Sequence, residues 1–313
     1  MAESNNLESL LAALQRLPDP FDIGMFILEQ YRAKFGVYPD VMRPKKFNEK
    51  IQARKLFDRR PILVTMADKC AVREHVADRV GRHILPVWYH VTEDPADLPF
   101  ATLPPRYVVK ATHGSGWVHL VKDRATVDPA AIVEMCQGWL ALNFYDQSVE
   151  WAYRAVPRRI AVEEFLDNGA GEAAEDYKFF TFNGRVEFLQ VDMSRFAGHK
   201  KNFFDRYWKP IALRQEAENS PEEIPKPRNF AALIECAEAL AKGIDFVRVD
   251  LYSIQDKVRF GELTATPGNG FFRFDPPEYD EIFGKLWRMD ISSLSTLFGG
   301  ADRSGPQGRH GRR

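Results

Sequence analysis

Two runs in the last third of the chain, FVRVDLYSI over 246–254 and VRFGELTATPGNG over 258–270, aim two carboxylates and a guanidinium at one point. A period of two puts Phe246, Arg248, Asp250 and Tyr252 on one face of the first run and Val247, Val249 and Leu251 on the other. After a polar turn through Gln255, Asp256 and Lys257, the same alternation groups Phe260, Glu262 and Thr264 against Gly261 and Leu263. Paired antiparallel, the two strands bring Asp250 and Glu262 to a shared site. Carboxylates that close repel unless one holds a proton or a cation lies between them. A hard divalent ion such as Mg²⁺, bound by oxygen and shared with substrate phosphates, is the common solution. The same pair also suits two solvated carboxylates on an exposed hairpin, against which the TPGNG turn weighs.

Lys110 ends the run YVVK immediately before the tip His113-Gly114-Ser115-Gly116. Gly114 and Gly116 let backbone N–H groups approach a phosphate closely, and a neighbouring lysine supplies a point charge for it. A tight hairpin needs glycine for its dihedrals in any case, so the tip alone fits either reading. His113 suits a base or a hydrogen-bonding structural residue equally. Lys178, in DYKFF, shares a face with Asp176, Phe180 and Phe182. A buried lysine is expensive without a partner, which calls for a phosphate, a substrate carboxylate or a salt bridge with a nearby Glu.

The elements that must position these groups are legible in outline. FDIGMFILEQYRAKFGVYP and FNEKIQARKLFDRRP read as helices ended by Gly36 and Pro61, and MADKCAVREHVADRVG as one helix stopped at Gly81. HILPVWYHV reads as a strand, RYVVKATHGSGWVHLVK as a hairpin, PAAIVEMCQGWLALNFYD as helical and RRIAVEEFLD as a strand. DYKFFTFNGRVEFLQVDMSR is a hairpin joined by Asn183-Gly184, and FAALIECAEALAKG an amphipathic helix ending at Gly243. The pattern is α+β with largely antiparallel strands. In HKKNFFDRYWKP, Lys200, Lys201, Arg206 and Trp208 suit an acidic saccharide, or equally a surface hairpin with solvated charges.

Composition bounds the function. The 313 residues are 45% hydrophobic and 12% aromatic, which makes the chain globular, and 43 Lys plus Arg nearly cancel 44 Asp plus Glu. Without a global basic field, nucleic acid is not an expected partner. The N-terminal run has acidic residues where a secretion signal needs basic ones, and no run reaches the ~18 apolar residues of a spanning helix. A cytoplasmic location is expected. Cys70, Cys136 and Cys236 are odd in number and far apart, which fits buried thiols and not a disulfide framework or a zinc site. The tail from about Arg303 is polar, glycine-rich and basic, and reads as disordered.

From about Tyr31 to Phe283 the chain resembles the TupA-like branch of the ATP-grasp proteins. The blocks that carry the resemblance are PKKFNEKI, DRRP, ADKCAVREHV, VVKATHGSG, VEEFL, DYKFFTFNG, FFDRYW, FVRVDLY, GELTATPGNG and FDPPEYDEIFG. The metal end is also similar to that of D-alanine:D-alanine ligase. The resemblance implies an ATP-grasp fold of two largely antiparallel sheet-based subdomains clasping ATP. Its expected divisions are a helical N-terminal region over 1–60, an ATP-grasp domain over 61–300 and a disordered tail over 301–313. It implies ATP and Mg²⁺ as cofactors, with Asp250 and Glu262 as metal ligands and Arg248 steadying a phosphorylated intermediate. Lys69 takes the place of the family's first nucleotide-facing lysine, and Lys110 with His113, Gly114, Ser115 and Gly116 that of the phosphate loop. In the hinge AVEEFLD, Glu163 or Glu164 would meet the adenine amine and Leu166 would offer its N–H. Lys178 is placed with the catalytic residues and Asp176 with the nucleotide-binding ones. One departure is Thr264, where better-known members carry Asn as a second oxygen ligand. The implied activity is an ADP-forming carboxylate–amine ligase of cell-envelope polysaccharide or peptide-modified polysaccharide synthesis, with an acidic saccharide, amino acid or peptide as substrate and other envelope-assembly enzymes as partners. A sugar or small-molecule kinase, or a scaffold that binds nucleotide without turnover, would use the same motifs.

Overall fold

The computed structural model describes residues 21–168, 174–193 and 200–289, so the expected tail lies outside the described residues. Four helices come first: α1 (Phe21–Phe35), α2 (Phe47–Phe57), α3 (Pro61–Ala67) and α4 (Ala71–Val80). Then follow β1 (Trp88–Thr92), β2 (Tyr107–Ala111), β3 (Val118–Val121), α5 (Pro129–Ala141), α6 (Phe144–Ser148) and β4 (Ile160–Glu164). The second half holds β5 (Asp176–Phe182), β6 (Arg185–Met193), β7 (Lys200–Asp205), β8 (Pro210–Ile211), β9 (Arg214–Gln215) and α7 (Phe230–Ala241). It closes with β10 (Phe246–Ile254), β11 (Lys257–Thr264), β12 (Phe274–Asp275) and α8 (Tyr279–Leu286).

A smaller sheet has the order β1-β4-β2-β3 and a larger one β11-β10-β5-β6-β7-β8, with β12 and β9 paired apart. The strand pairs of both sheets run antiparallel, as expected of an α+β chain. Turn chemistry fixes the hairpins. Asn183 and Gly184, at φ 53° and 80°, make the left-handed two-residue turn that matches strand twist, and Gln255 and Asp256 at 49° and 58° do the same for β10–β11. Pro61 opens α3 and does not only end the helix before it, as its fixed φ and missing N–H allow.

Period-two alternation divides the larger sheet. Val247, Val249 and Leu251 join Phe179, Leu189 and Val191 in a core closed by Leu233, Ala237 and Leu240 of α7. On the opposite face Phe180, Phe182, Phe188 and Phe246 meet Phe47 of α2, Phe283 of α8 and Trp287. The second helix of the expected N-terminal region therefore packs into the same core as the sheet. Further along that same face the residues turn ionic, with Asp176 and Lys178 on β5 and Arg248 and Asp250 on β10.

Arg54 of α2 locks this layer. Its guanidinium donates to the Phe246 and Ala265 carbonyls at 2.9 and 3.0 Å and to Asp245 at 2.6 Å, and lies 4.4 Å from the Trp287 ring centre. Trp287 Nε1 and Arg60 donate to the same carboxylate. Burial pushes the Asp245 carboxyl up, but Arg54 and Arg60 outweigh it and hold the group down at about 2. Because the folded-state value is the lower one, the resulting stability is present above roughly pH 4 and lost as pH falls toward 2. Asp245→Ala is expected to cost about 3 kcal/mol in chemical denaturation, the low end for a broken buried pair, because it removes a shared counter-charge while Asp58 stays paired with Arg60 and 3.6 Å from Arg54. A midpoint like that of the unaltered protein would remove Asp245 from this role.

Candidate active site

A cavity of about 370 Å³ opens between the two sheets, lined from the smaller one by Trp88, Lys110 and Glu163 and from the larger one by Arg248, Glu262 and Thr264. Its size and its mix of apolar wall and many polar and charged groups suit a site for a charged small molecule.

Lys69 reaches the cavity because the expected single helix is broken there. Asp68 ends α3 and its carboxylate accepts the Cys70 N–H at 2.7 Å, while the Lys69 N–H donates to the Thr112 carbonyl at 3.2 Å. Lys69 Nζ donates to the Gly114 carbonyl and so braces the glycine tip. Burial pulls this ammonium down to about 8, with Glu262 opposing and Lys110 adding to the pull. Lys110 Nζ meets both Glu163 oxygens at 2.6 Å, and Trp88 Nε1 donates to Glu163 at 2.7 Å. The tip joins β2 to β3 as expected. A Cβ on Gly114 would come within 2.5 Å of the Trp117 ring, Gly116 has φ 78°, and Ser115 lines the cavity.

Two expected nucleotide groups lie elsewhere. His113 is buried, its Nε2 3.1 Å from the Trp139 carbonyl and its ring against Trp117, and burial lowers its pKa. It is turned toward α5 and does not line the cavity, which corrects its placement among the cofactor contacts and as a base. Glu164 points away from Glu163 on the strand. Its carboxylate accepts from Arg259 of β11 and from the Val87 N–H at 3.0 Å, a tie between the two sheets. The Leu166 carbonyl accepts the Ala174 N–H at 3.2 Å.

Asp250 and Glu262 stand directly opposite one another in the β10–β11 register, as the alternation predicts. A bulge follows, in which Gly261 lies so close that a Cβ would meet the Asp250 carbonyl at 2.9 Å. The bulge moves Phe260 to the side of Leu263 and Leu251, which corrects its expected grouping with Glu262. Arg248 lies between the two carboxylates. Its Nε donates to Asp250 Oδ1 at 2.7 Å, and its Nη2 to Asp250 Oδ2 at 2.7 Å, Glu262 Oε1 at 2.8 Å and Thr264 Oγ1 at 3.1 Å. Lys178 Nζ donates to Asp250 Oδ2 at 2.8 Å and to Asp176, with Asp192 at 3.7 Å. Burial alone would lower the Lys178 pKa, but Asp176 and Asp250 outweigh it and keep the ammonium charged. The buried lysine thus has protein carboxylates as partners, supplied by Asp and not Glu. Burial pushes Asp250 up to about 6 against Arg248 and Lys178, so it is ionised at neutral pH.

The donor set suits a hard cation in part. Glu262, 43% exposed, and Thr264 face the cavity with oxygen ligands, whereas Asp250 is 2% exposed behind Arg248. Among the described residues no three Asp, Glu, His or Cys side chains converge as a metal cage. An ion held by Glu262 and Thr264 would therefore complete its shell with phosphate oxygens and water, as Mg²⁺ does.

Of the residues expected to suit an acidic saccharide, two are engaged within the fold. Trp208 stacks on Phe204 at 4.4 Å, edges onto Phe230 and donates to the Ile224 carbonyl at 3.3 Å, and Arg206 pairs with Glu238 at 3.3 Å. Sequence reasoning also passed over Trp88, Arg73 and Glu150 of the cavity wall. Arg73 stacks on Trp88 at 4.3 Å; Arg73 lies in the block ADKCAVREHV and Trp88 in none, and only the folded chain joins them.

Two antiparallel sheets closing on a cavity with lysines on one side and paired acids on the other define an ATP-grasp architecture. The family model for TupA-like ATP-grasp proteins matches residues 49–288, and the chain belongs to that family. Among solved structures it is similar to D-alanine–D-alanine ligase from Bacillus anthracis complexed with ATP, at 16% identity over 77% of this chain and 70% of that one, TM-score 0.44. It is also similar to the ATP-grasp ligase PsnB complexed with minimal precursor, at 16% identity over 76% and 62%, TM-score 0.38. D-alanine–D-alanine ligase from Helicobacter pylori matches at 14% identity over 76% and 62%, TM-score 0.40. With every one of these TM-scores below 0.5, membership rests on the family model. No curated protein sequence matches the chain. Among the described residues no helix is long and apolar enough to cross a membrane.

Proposed function

We propose that the chain is an ATP- and Mg²⁺-dependent, ADP-forming carboxylate–amine ligase acting in cell-envelope polysaccharide or peptide-modified polysaccharide synthesis. The observation that carries this reading is Arg248, held between Asp250 and Glu262 and lining one cavity with Lys69 and Lys110. Lys69 and Lys110 would hold the phosphates, and Glu163, linked to Lys110 and Trp88, the hinge side. Arg248 would neutralise the charge that builds up on the transferred phosphoryl group as the substrate carboxylate attacks it. Magnesium, held by Glu262 and Thr264, would supply further charge neutralisation on the phosphate oxygens. Release of ADP would leave an acyl phosphate, and an amine would displace phosphate from it. The working parts are positioning and electrostatics.

The testing experiment incubates the protein with ATP, Mg²⁺ and a panel of uronic acids, amino acids and peptides, and follows nucleotide and product. ADP with a new amide supports the reading. AMP formation, or accumulation of a stable phosphorylated sugar, overturns it, the latter in favour of a kinase.

Lys110 gives a second expected outcome. Lys110→Ala should weaken ATP and ADP binding about tenfold or more and adenosine binding much less, because the lysine would meet phosphate and not base. Calorimetric titration with the three ligands measures this. Equal losses for all three would return the glycine tip to an ordinary hairpin.

A further inference from the structure

One part of the cavity wall is different in kind. Gln147, Ser148, Glu150, Thr266 and Asn269 form a polar lobe in which Glu150 is the only charged group. Glu262 lines the same cavity as Lys69, Lys110 and this lobe. We propose that this lobe is the subsite of the acceptor amine and that Glu150 takes the proton from the attacking nitrogen. The proposal rests on the ligase reading and adds to it the acceptor's place and its base.

Local structure turns Glu150 toward the cavity. After α6 ends at Ser148, Val149 takes a left-handed φ of 56° and reverses the chain. The Glu150 N–H donates to Ser148 Oγ at 3.2 Å, Thr266 Oγ1 donates to Glu150 Oε2, and Asn269 Nδ2 donates to the Ser148 carbonyl at 3.0 Å. The carboxylate is thus aimed by neutral donors. A second small cavity of about 30 Å³, lined also by Lys55, Tyr153 and Thr264, shares Glu150 with the first. The titratable groups facing it are Lys55 of α2, Tyr153 of its own loop and Glu262 of β11. Burial pushes the Glu150 carboxyl up to about 7, with Thr266 and Lys55 opposing. A base whose pKa lies near the working pH combines availability with driving force. Lys55, drawn down to about 8 by burial, lies 5.5 Å from the Phe271 ring centre.

The step balances. The neutral amine nitrogen forms a bond to the acyl carbon, the C–O bond to phosphate breaks with its electron pair leaving on inorganic phosphate, and the nitrogen's proton passes to Glu150. The carboxyl then returns it to water.

The test compares two acceptors on the carboxylate that supports ADP release. Hydroxylamine is small, strongly nucleophilic and largely unprotonated near neutral pH, so it depends little on a base, whereas glycinamide stands in for an ordinary primary amine. Glu150→Gln should lower kcat with glycinamide about 10²–10⁴-fold. The same variant should lower hydroxamate formation far less and flatten the rising limb of the pH–rate profile near 7. Glu150→Asp, which keeps a carboxylate, should restore part of the glycinamide rate. Equal losses with both acceptors, or an unchanged pH limb, would overturn the proposal and leave Glu150 as a counter-ion of Lys55. If the unaltered protein forms no hydroxamate with any carboxylate but phosphorylates a hydroxyl, the ligase reading fails separately. The glycinamide acceptor fails with it, and the proposal is overturned as stated.

Discussion

Glu262→Gln is expected to keep the fold and to lose Mg²⁺-dependent turnover by about 10²–10³-fold, the range for removing one preorganised charge-stabilising group. Asp250→Asn is expected to lose turnover and stability together. The difference follows from burial. Glu262 is 43% exposed toward the cavity, so its amide analogue leaves little unpaired, whereas Asp250 is 2% exposed and accepts from both Arg248 and Lys178. Neutralising Asp250 withdraws the shared counter-charge of two buried cations. Lys178 keeps Asp176 and Asp192, and Arg248 keeps Glu262, so the cost should fall at the low end for a broken buried pair, about 3 kcal/mol. Urea denaturation and an ADP-release assay titrated with Mg²⁺ separate the two effects. Unchanged Mg²⁺-dependent activity in Glu262→Gln would sink the metal assignment. An unchanged urea midpoint in Asp250→Asn would sink its role as counter-ion.

These two variants show what the sequence can and cannot carry. Alternation fixes which face of a strand a residue occupies, so the opposition of Asp250 and Glu262 and the hairpins at Asn183-Gly184 and at the glycine tip were readable. Alternation does not reveal a bulge, and the single extra residue at Gly261 was enough to send Phe260 to the other face. Nor does it reveal partners far apart in the chain. Lys178 reads as a basic group in search of a partner, but the identity of that partner depends on β5 lying beside β10, which brings Lys178 opposite Asp250. The helix break at Asp68 was hidden because its cause, the Lys69 N–H bonding to Thr112, is a contact between segments more than forty residues apart. Glu150 lies on a short loop with no motif around it. Its environment is made by Thr266, Lys55 and Ser148 only after folding.

Arg248→Ala should lower ATP-dependent hydroxamate formation by about 10²–10³-fold in kcat. Lys178, the other cation on Asp250, is not part of the cavity lining, whereas the guanidinium lines the cavity and spans Asp250, Glu262 and Thr264. Burial alone would lower its pKa, but Asp250 and Glu262 outweigh it and hold the group charged at every working pH. A fixed cation there stabilises the transferring phosphoryl group and the acyl phosphate more than it stabilises ATP at rest, so the loss belongs in kcat and not in ATP affinity. Arg248→Lys separates charge from geometry. It keeps the positive charge but loses the fork that meets two carboxylates at once, and should recover only part of the rate. The measurement is hydroxamate yield with hydroxylamine in place of the amine, alongside ATP titration of each variant. If Arg248→Ala traps hydroxamate as fast as the unaltered protein, the guanidinium is a structural bridge between β10 and β11 and the charge that stabilises the intermediate comes from elsewhere in the cavity. If ATP affinity falls as steeply as the rate, Arg248 serves nucleotide binding in the ground state and its place in the phosphoryl-transfer step is lost.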